Sequence, residues 1–244
     1  MKSKTRNRRI LTGLTMLFIL TSIAACGTSA QSEETPAVVE AAPLLIVDEQ
    51  GSTEVDVEGL ETAVSPPSSS GLTASEVEGL LFMREEEKLA RDVYLTLYEV
   101  WGLNIFRNIA SAEETHTEAV RVLLDQYGLD DPMTSDASGV FVNADLQALY
   151  DQLVDQGSQS LVDALRVGAA IEEIDILDLE DNLTQTDNAD IQLVYQNLLR
   201  GSRNHLRSFV RQIENRSGAY QPQYLTQDSY EAITGTGIET GSER

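Results

Sequence analysis

Residues 110–120 read Ala110-Ser111-Ala112-Glu113-Glu114-Thr115-His116-Thr117-Glu118-Ala119-Val120, in the middle of a helical pattern. Around them Ile105, Ile109, Ala112, Val120, Leu123 and Tyr127 recur in steps of three, four or eight, which marks one helix face. Glu113 and His116 stand on that same stripe. A carboxylate and an imidazole at i and i+3 therefore point together into whatever the helix packs against. Burying both is costly unless a partner compensates, and a metal ion suits this pair of side chains.

Working outward, three further stretches carry the same kind of face. One helix is expected from an N-cap at Thr73, with Glu76 completing a capping box, to about Val100 before Gly102. Its stripe reads Leu80, Met83, Glu87, Ala90, Tyr94, Leu97, Trp101. The helix holding Glu113 runs from about Asn104 to Tyr127, with Gly128 as its terminator. Pro132 and Gly139 place a loop over residues 129–142, and Asn143 caps a short amphipathic helix that ends at Gly157. A third long helix starts near Ser158, with Leu161, Leu165, Gly168, Glu172, Asp175 and Leu179 inward. The fourth starts near Asp187 and reads Ile191, Val194, Tyr195, Leu198, Ser202, His205, Phe209, Ile213 until Gly218. No strand alternation of useful length is read, nor a Gly-rich phosphate loop. The expected fold class is all-α: a four-helix bundle with a short extra helix between its second and third helices.

The 244 residues include 40 acidic and 17 basic side chains, a net charge of −23, which argues against a nucleic-acid partner. Five of the basic residues lie in the first nine positions, ahead of an apolar run from Ile10 to Ala25. That order reads as a secretory signal over residues 1–26. Its end, Ile23-Ala24-Ala25-Cys26-Gly27, resembles the bacterial lipobox, which implies lipidation of Cys26, a membrane partner through that anchor, and an extracytoplasmic place at the cell envelope. Cys26 is the only cysteine, so an intrachain disulfide or a thiolate metal site is excluded. Residues 27–72 hold nine acidic residues, no basic one and a Pro-Pro-Ser-Ser-Ser run, a composition expected of a disordered acidic linker. Leu44-Leu45-Ile46-Val47 is its one apolar cluster. The folded domain is expected over residues 73–216, followed by a tail, 217–244, whose Tyr220, Tyr224, Leu225, Tyr230 and Ile233 drape over it.

Ligand-type side chains thus lie on the inward stripe of all four long helices: Glu87; Glu113 with His116; Glu172 with Asp175; His205. Both histidines of the chain are among them. Glu173 is the alternative to Glu172, because a small rotation exchanges them. Glu85, Glu86, Glu114 and Glu118 are expected on solvated faces, and Tyr94 and Tyr195 in core packing, with hydrogen-bond donation near the site as their alternative role. Glu87-Lys88-Leu89-Ala90-Arg91-Asp92-Val93-Tyr94 resembles the first helix of the rubrerythrin branch of ferritin-like proteins, and Glu113-Glu114-Thr115-His116 resembles that family's Glu-x-x-His. Residues 83–127 and 161–209 resemble a bacterial and archaeal ferritin-like family known as domain of unknown function 2202.

The resemblance implies a di-metal centre of iron or manganese on Glu87, Glu113, His116, Glu172, Asp175 and His205. It implies oxidase or peroxide-handling chemistry with a small oxidant such as dioxygen or peroxide. One departure stands out: Ser202-Arg203-Asn204-His205 replaces the family's second Glu-x-x-His, and Ser202 cannot bridge as a carboxylate does. Asp175 is expected to restore the count. The alternative is a non-catalytic structural or interaction module with one metal or none. Iron storage fits a lipid tether poorly, and a homodimer is compatible with either reading.

Overall fold

The computed structural model describes residues 44–64, 71–216 and 218–241. The signal segment and Cys26 lie outside the described residues, which all belong to a compact unit spanning Ala41–Arg244. The fold is predominantly helical. In chain order come β1 (Leu45–Val47), β2 (Thr53–Val55), α1 (Val57–Ala63), α2 (Ala74–Trp101), α3 (Asn104–Tyr127), α4 (Ala144–Gly157), α5 (Leu161–Leu183), α6 (Ala189–Glu214) and α7 (Gln227–Thr234). No helix among the described residues is long and apolar enough to cross a membrane.

Local chemistry sets the helix ends. Thr73 and Glu76 form the capping box that opens α2, and Gly102 and Gly128, both left-handed, close α2 and α3. Asn143, Ser160 and Asn188 accept backbone N–H groups at the starts of α4, α5 and α6.

α2 lies along α3, and α5 along α6. Their apolar residues gather into two clusters. One holds Val93 and Leu97 of α2, Phe106 and Ile109 of α3, Leu165 of α5 and Phe209 of α6. The other holds Leu80 and Met83 of α2, Val120 and Leu123 of α3, Leu179 of α5 and Val194 and Leu198 of α6. The polar residues of the inward stripes fall between these clusters along every long helix. Oil above and below excludes water from a polar layer that must find its partners inside the protein.

Residues 44–64 correct the expectation of a disordered linker. They form the antiparallel β1–β2 hairpin, in which Leu45 pairs with Val55 and Val47 with Thr53, followed by α1. Asp48 shapes the turn by accepting the N–H of Gln50 and of Ser52, and Gly51 takes a φ of 89° that favours glycine. Acidic composition is no obstacle, because the hairpin docks. Leu44, Leu45, Val55 and Leu60 join the second cluster, the Val55 N–H donates to Thr115 Oγ1, and Ser52 Oγ donates to the Asn108 carbonyl.

The tail packs through Tyr220, Leu225, Tyr230 and Ile233, while Tyr224 stays exposed. It also contains the short helix α7, which the periodicity had not revealed.

Candidate metal centre

Helix pitch brings Glu87 of α2, Glu113 and His116 of α3, Glu172 of α5 and His205 of α6 into the polar layer, each at most 2 % exposed. They form two overlapping triads, Glu87–Glu113–His116 and Glu113–Glu172–His205. Within each triad one potential ligand atom per residue lies within 4.8 Å of the other two. Glu113 is common to both. Its Oε2 stands 2.8 Å from His116 Nδ1 and its Oε1 stands 2.9 Å from His205 Nδ1. Glu87 Oε2 lies 3.5 Å from His116 Nδ1, and Glu172 Oε2 lies 3.6 Å from His205 Nδ1. The two rings are nearly parallel, with centroids 5.5 Å apart.

Close approach is not the same as hydrogen bonding. Both Nδ1 atoms and Glu87 Oε1 are buried without a hydrogen-bond partner in the protein. Orphaned donors and acceptors of this kind are costly, and here the two Nδ1 atoms flank Glu113. A cation between them would satisfy the lone pairs and neutralise the carboxylates, so the residues present fit a metal.

The electrostatics agree. Burial pushes Glu87 and Glu172 up to about 7 each, with the Glu113 charge adding to the effect. Burial would also raise Glu113, but His116 and His205 outweigh it and hold that carboxyl below its ordinary range. Burial pulls His116 and His205 down, yet the facing carboxylates win. His116 is raised well above its ordinary value and His205 is pushed up to about 9.

Asp175 joins neither triad. Its Oδ2 accepts from Ser202 Oγ, so the serine that replaces the expected carboxylate holds Asp175 beside the centre instead of leaving a gap. Asp175 Oδ1 remains without a partner. Glu172, and not Glu173, faces the centre. Glu173 Oε2 accepts the backbone N–H groups of Gln223, Tyr224 and Leu225 and so anchors the tail.

Glu85 and Glu86 are buried, contrary to expectation. Glu85 accepts the N–H groups of Val142 and Asn143, because the loop before α4 covers that face of α2. Burial, followed by Asp175 and Asp178, raises Glu86 well above its ordinary value. Glu114 is solvated and pairs with Arg91, and Glu118 is half-buried and pairs with Arg121.

Two further residues contribute to the site, one weighed as a hydrogen-bond donor from its stripe and one not read from the sequence at all. Tyr94 packs in the core as expected and also donates to Glu172 Oε1 at 2.6 Å, which turns Oε2 of that carboxylate toward His205. Its place seven residues after Glu87 on one stripe was the available signal. Thr53 of the hairpin reaches both histidines: His116 Nε2 lies 2.8 Å from the Thr53 carbonyl, and the Thr53 N–H donates to His205 Nε2 at 3.1 Å. Nothing in the helical periodicity could have announced it.

The family model described as "Uncharacterized protein domain (DUF2202)" matches residues 76–236, well over half of the chain. The chain belongs to the DUF2202 family. It is 53 % identical over 173 residues to uncharacterized protein MJ0754 of Methanocaldococcus jannaschii, covering 71 % of this chain and 94 % of that protein. A crystal structure titled as hypothetical protein MJ0754 from Methanococcus jannaschii DSM 2661 superposes with a TM-score of 0.70 at 51 % identity. That likeness spans 72 % of this chain and all of the other. The matched family residues include all five members of the two triads and exclude the hairpin.

Proposed function

We propose that this protein is a ferritin-like metal protein whose four long helices form a bundle around an iron or manganese centre. The centre would be held on Glu87, Glu113, His116, Glu172 and His205, with Asp175 beside it. One observation carries the reading: two carboxylate–imidazole triads share Glu113 in a buried layer where Glu87 Oε1, His116 Nδ1 and His205 Nδ1 lack partners. Mixed oxygen and imidazole donors suit iron or manganese, and the lack of thiolates near the site removes iron–sulfur chemistry. Iron or manganese bound there would supply a reservoir of electrons for a small oxidant such as dioxygen or peroxide.

The chain's own part is positional. Tyr94 fixes the direction of Glu172, Ser202 fixes Asp175, and the apolar clusters on either side exclude bulk water. Lipidation at Cys26 would hold the protein at the outer face of a membrane, where an oxidant arrives from outside. A second reading, a structural module with one metal or none, draws on Ser202 standing where a bridging carboxylate is expected.

Adding hydrogen peroxide anaerobically to the ferrous-loaded protein separates the two. Rapid oxidation of the bound iron with matching loss of peroxide is expected. Ferrous iron that stays bound and unreacted would favour the structural module.

A further inference from the structure

The histidines of the two triads are held by the N–H and the C=O of one residue, Thr53, and the consequence is chemical. Thr53 is fully buried on β2, where Asn204 Nδ2 donates to its Oγ1. Its carbonyl can only accept, so His116 Nε2, 2.8 Å away, must carry a proton. A neutral His116 then has its lone pair on Nδ1, the atom beside Glu87 Oε2 and Glu113 Oε2. Donation of the remote ring N–H to a backbone carbonyl is the usual support of a metal-ligating histidine.

His205 has the reverse arrangement. The Thr53 N–H can only donate, so His205 Nε2 must be bare and the ring neutral whatever the pull of the facing carboxylates, since a second ring proton would meet that N–H head-on. A neutral His205 then carries its proton on Nδ1, the atom that faces Glu113 Oε1 and Glu172 Oε2. Turning the ring over would set a carbon against the Thr53 N–H and orphan a buried donor. Ligation of a neutral His205 through Nδ1 would put the ring proton on Nε2, head-on to that N–H.

We propose that the backbone of Thr53 sorts the two histidines, making His116 a ligand and His205 a proton-bearing neighbour of Glu113. The centre then takes one tightly held divalent cation on Glu87, Glu113 and His116. Thr53 is a positioning residue, and it lies outside the residues that match the family model. The inference rests on the metal-binding reading above and narrows it, keeping the Glu87–Glu113–His116 half as the ligand set and leaving His205 beside it.

Nitrogen-15 NMR of the imidazoles tests it without recourse to activity. The labelled, metal-stripped protein is titrated with diamagnetic Zn²⁺, and the rings are assigned with His205→Gln. One tightly bound equivalent is expected, with His116 protonated at Nε2 and shifted at Nδ1 by ligation. His205 should show a protonated Nδ1, a bare Nε2 and no ligation shift. Ligation shifts on both rings, or two equally tight equivalents, would overturn the sorting by Thr53 while leaving the metal centre in place. No bound Zn²⁺ at all would overturn the metal reading itself, and this inference with it.

Discussion

Gly201 of α6 faces the His116 ring so closely that a Cβ there would stand 2.6 Å from Cε1 and 2.8 Å from Nε2. The ring cannot retreat without losing the Thr53 carbonyl. Gly201→Ala is therefore expected to cost about 1–3 kcal/mol of stability through overpacking and to weaken metal binding by displacing Nδ1. Denaturant unfolding paired with a metal titration checks both, and unchanged affinity would show that the ring position does not matter. At this scale the sequence was legible where one helix sufficed. Glu87, Glu113, His116, Glu172 and His205 share stripes with apolar residues because the helical period puts them there. Glu85, Glu86 and Glu173 were not legible, because they are buried by the loop before α4, by α5 and by the tail, and no periodicity within a helix records what covers its outer face.

Among the elements, the hairpin departs most from expectation, and the reason is physical. A two-stranded hairpin is marginal by itself in water, so composition averaged over residues 27–72 reads as disorder. The local signals were present: an apolar run Leu44–Val47, then Asp48 and Gly51 as turn residues, then Thr53 and Val55 alternating inward. What stabilises them is far away in sequence. Arg211 Nη2 donates to the Gln50 carbonyl, Asn204 to Thr53, and Leu60 is buried among the helices. Gly51 concentrates this dependence, with its left-handed φ and with space for a Cβ only 2.5 Å from Ser208 Oγ. Gly51→Ala is predicted to loosen residues 44–64 selectively. Hydrogen exchange should rise in the hairpin and at Thr53, while α2, α3, α5 and α6 keep their protection. Equal protection of the hairpin in the variant would contradict the account. The long helices, by contrast, were legible almost to the residue, since Thr73, Gly102 and Gly128 are local terminators, the threonine through its side-chain oxygen and the glycines through left-handed backbone.

At the scale of the molecule, a chain of net charge −23 keeps a carboxylate-rich layer between two apolar clusters. Burial in a dry interior, with repulsion from the Glu113 charge added, pushes Glu87 and Glu172 up to about 7. A divalent cation removes the repulsion, and it must displace protons to do so. Raised carboxyl and imidazole pKa values mean that protons compete more strongly as pH falls, so binding weakens toward acid. Glu113 belongs to both triads, which makes it the residue on which every version of the centre depends. The most direct measurement is calorimetric titration of metal-stripped protein with Mn²⁺ at pH 7.5 and pH 5.5, for the wild type and for Glu113→Gln, with helicity monitored throughout. The account predicts at least one tight ion per chain at pH 7.5, at least tenfold weaker binding at pH 5.5, a difference of about 1.4 kcal/mol or more, and no tight ion in Glu113→Gln. A wild type that binds no ion, or a well-folded Glu113→Gln that binds as the wild type does, would contradict it.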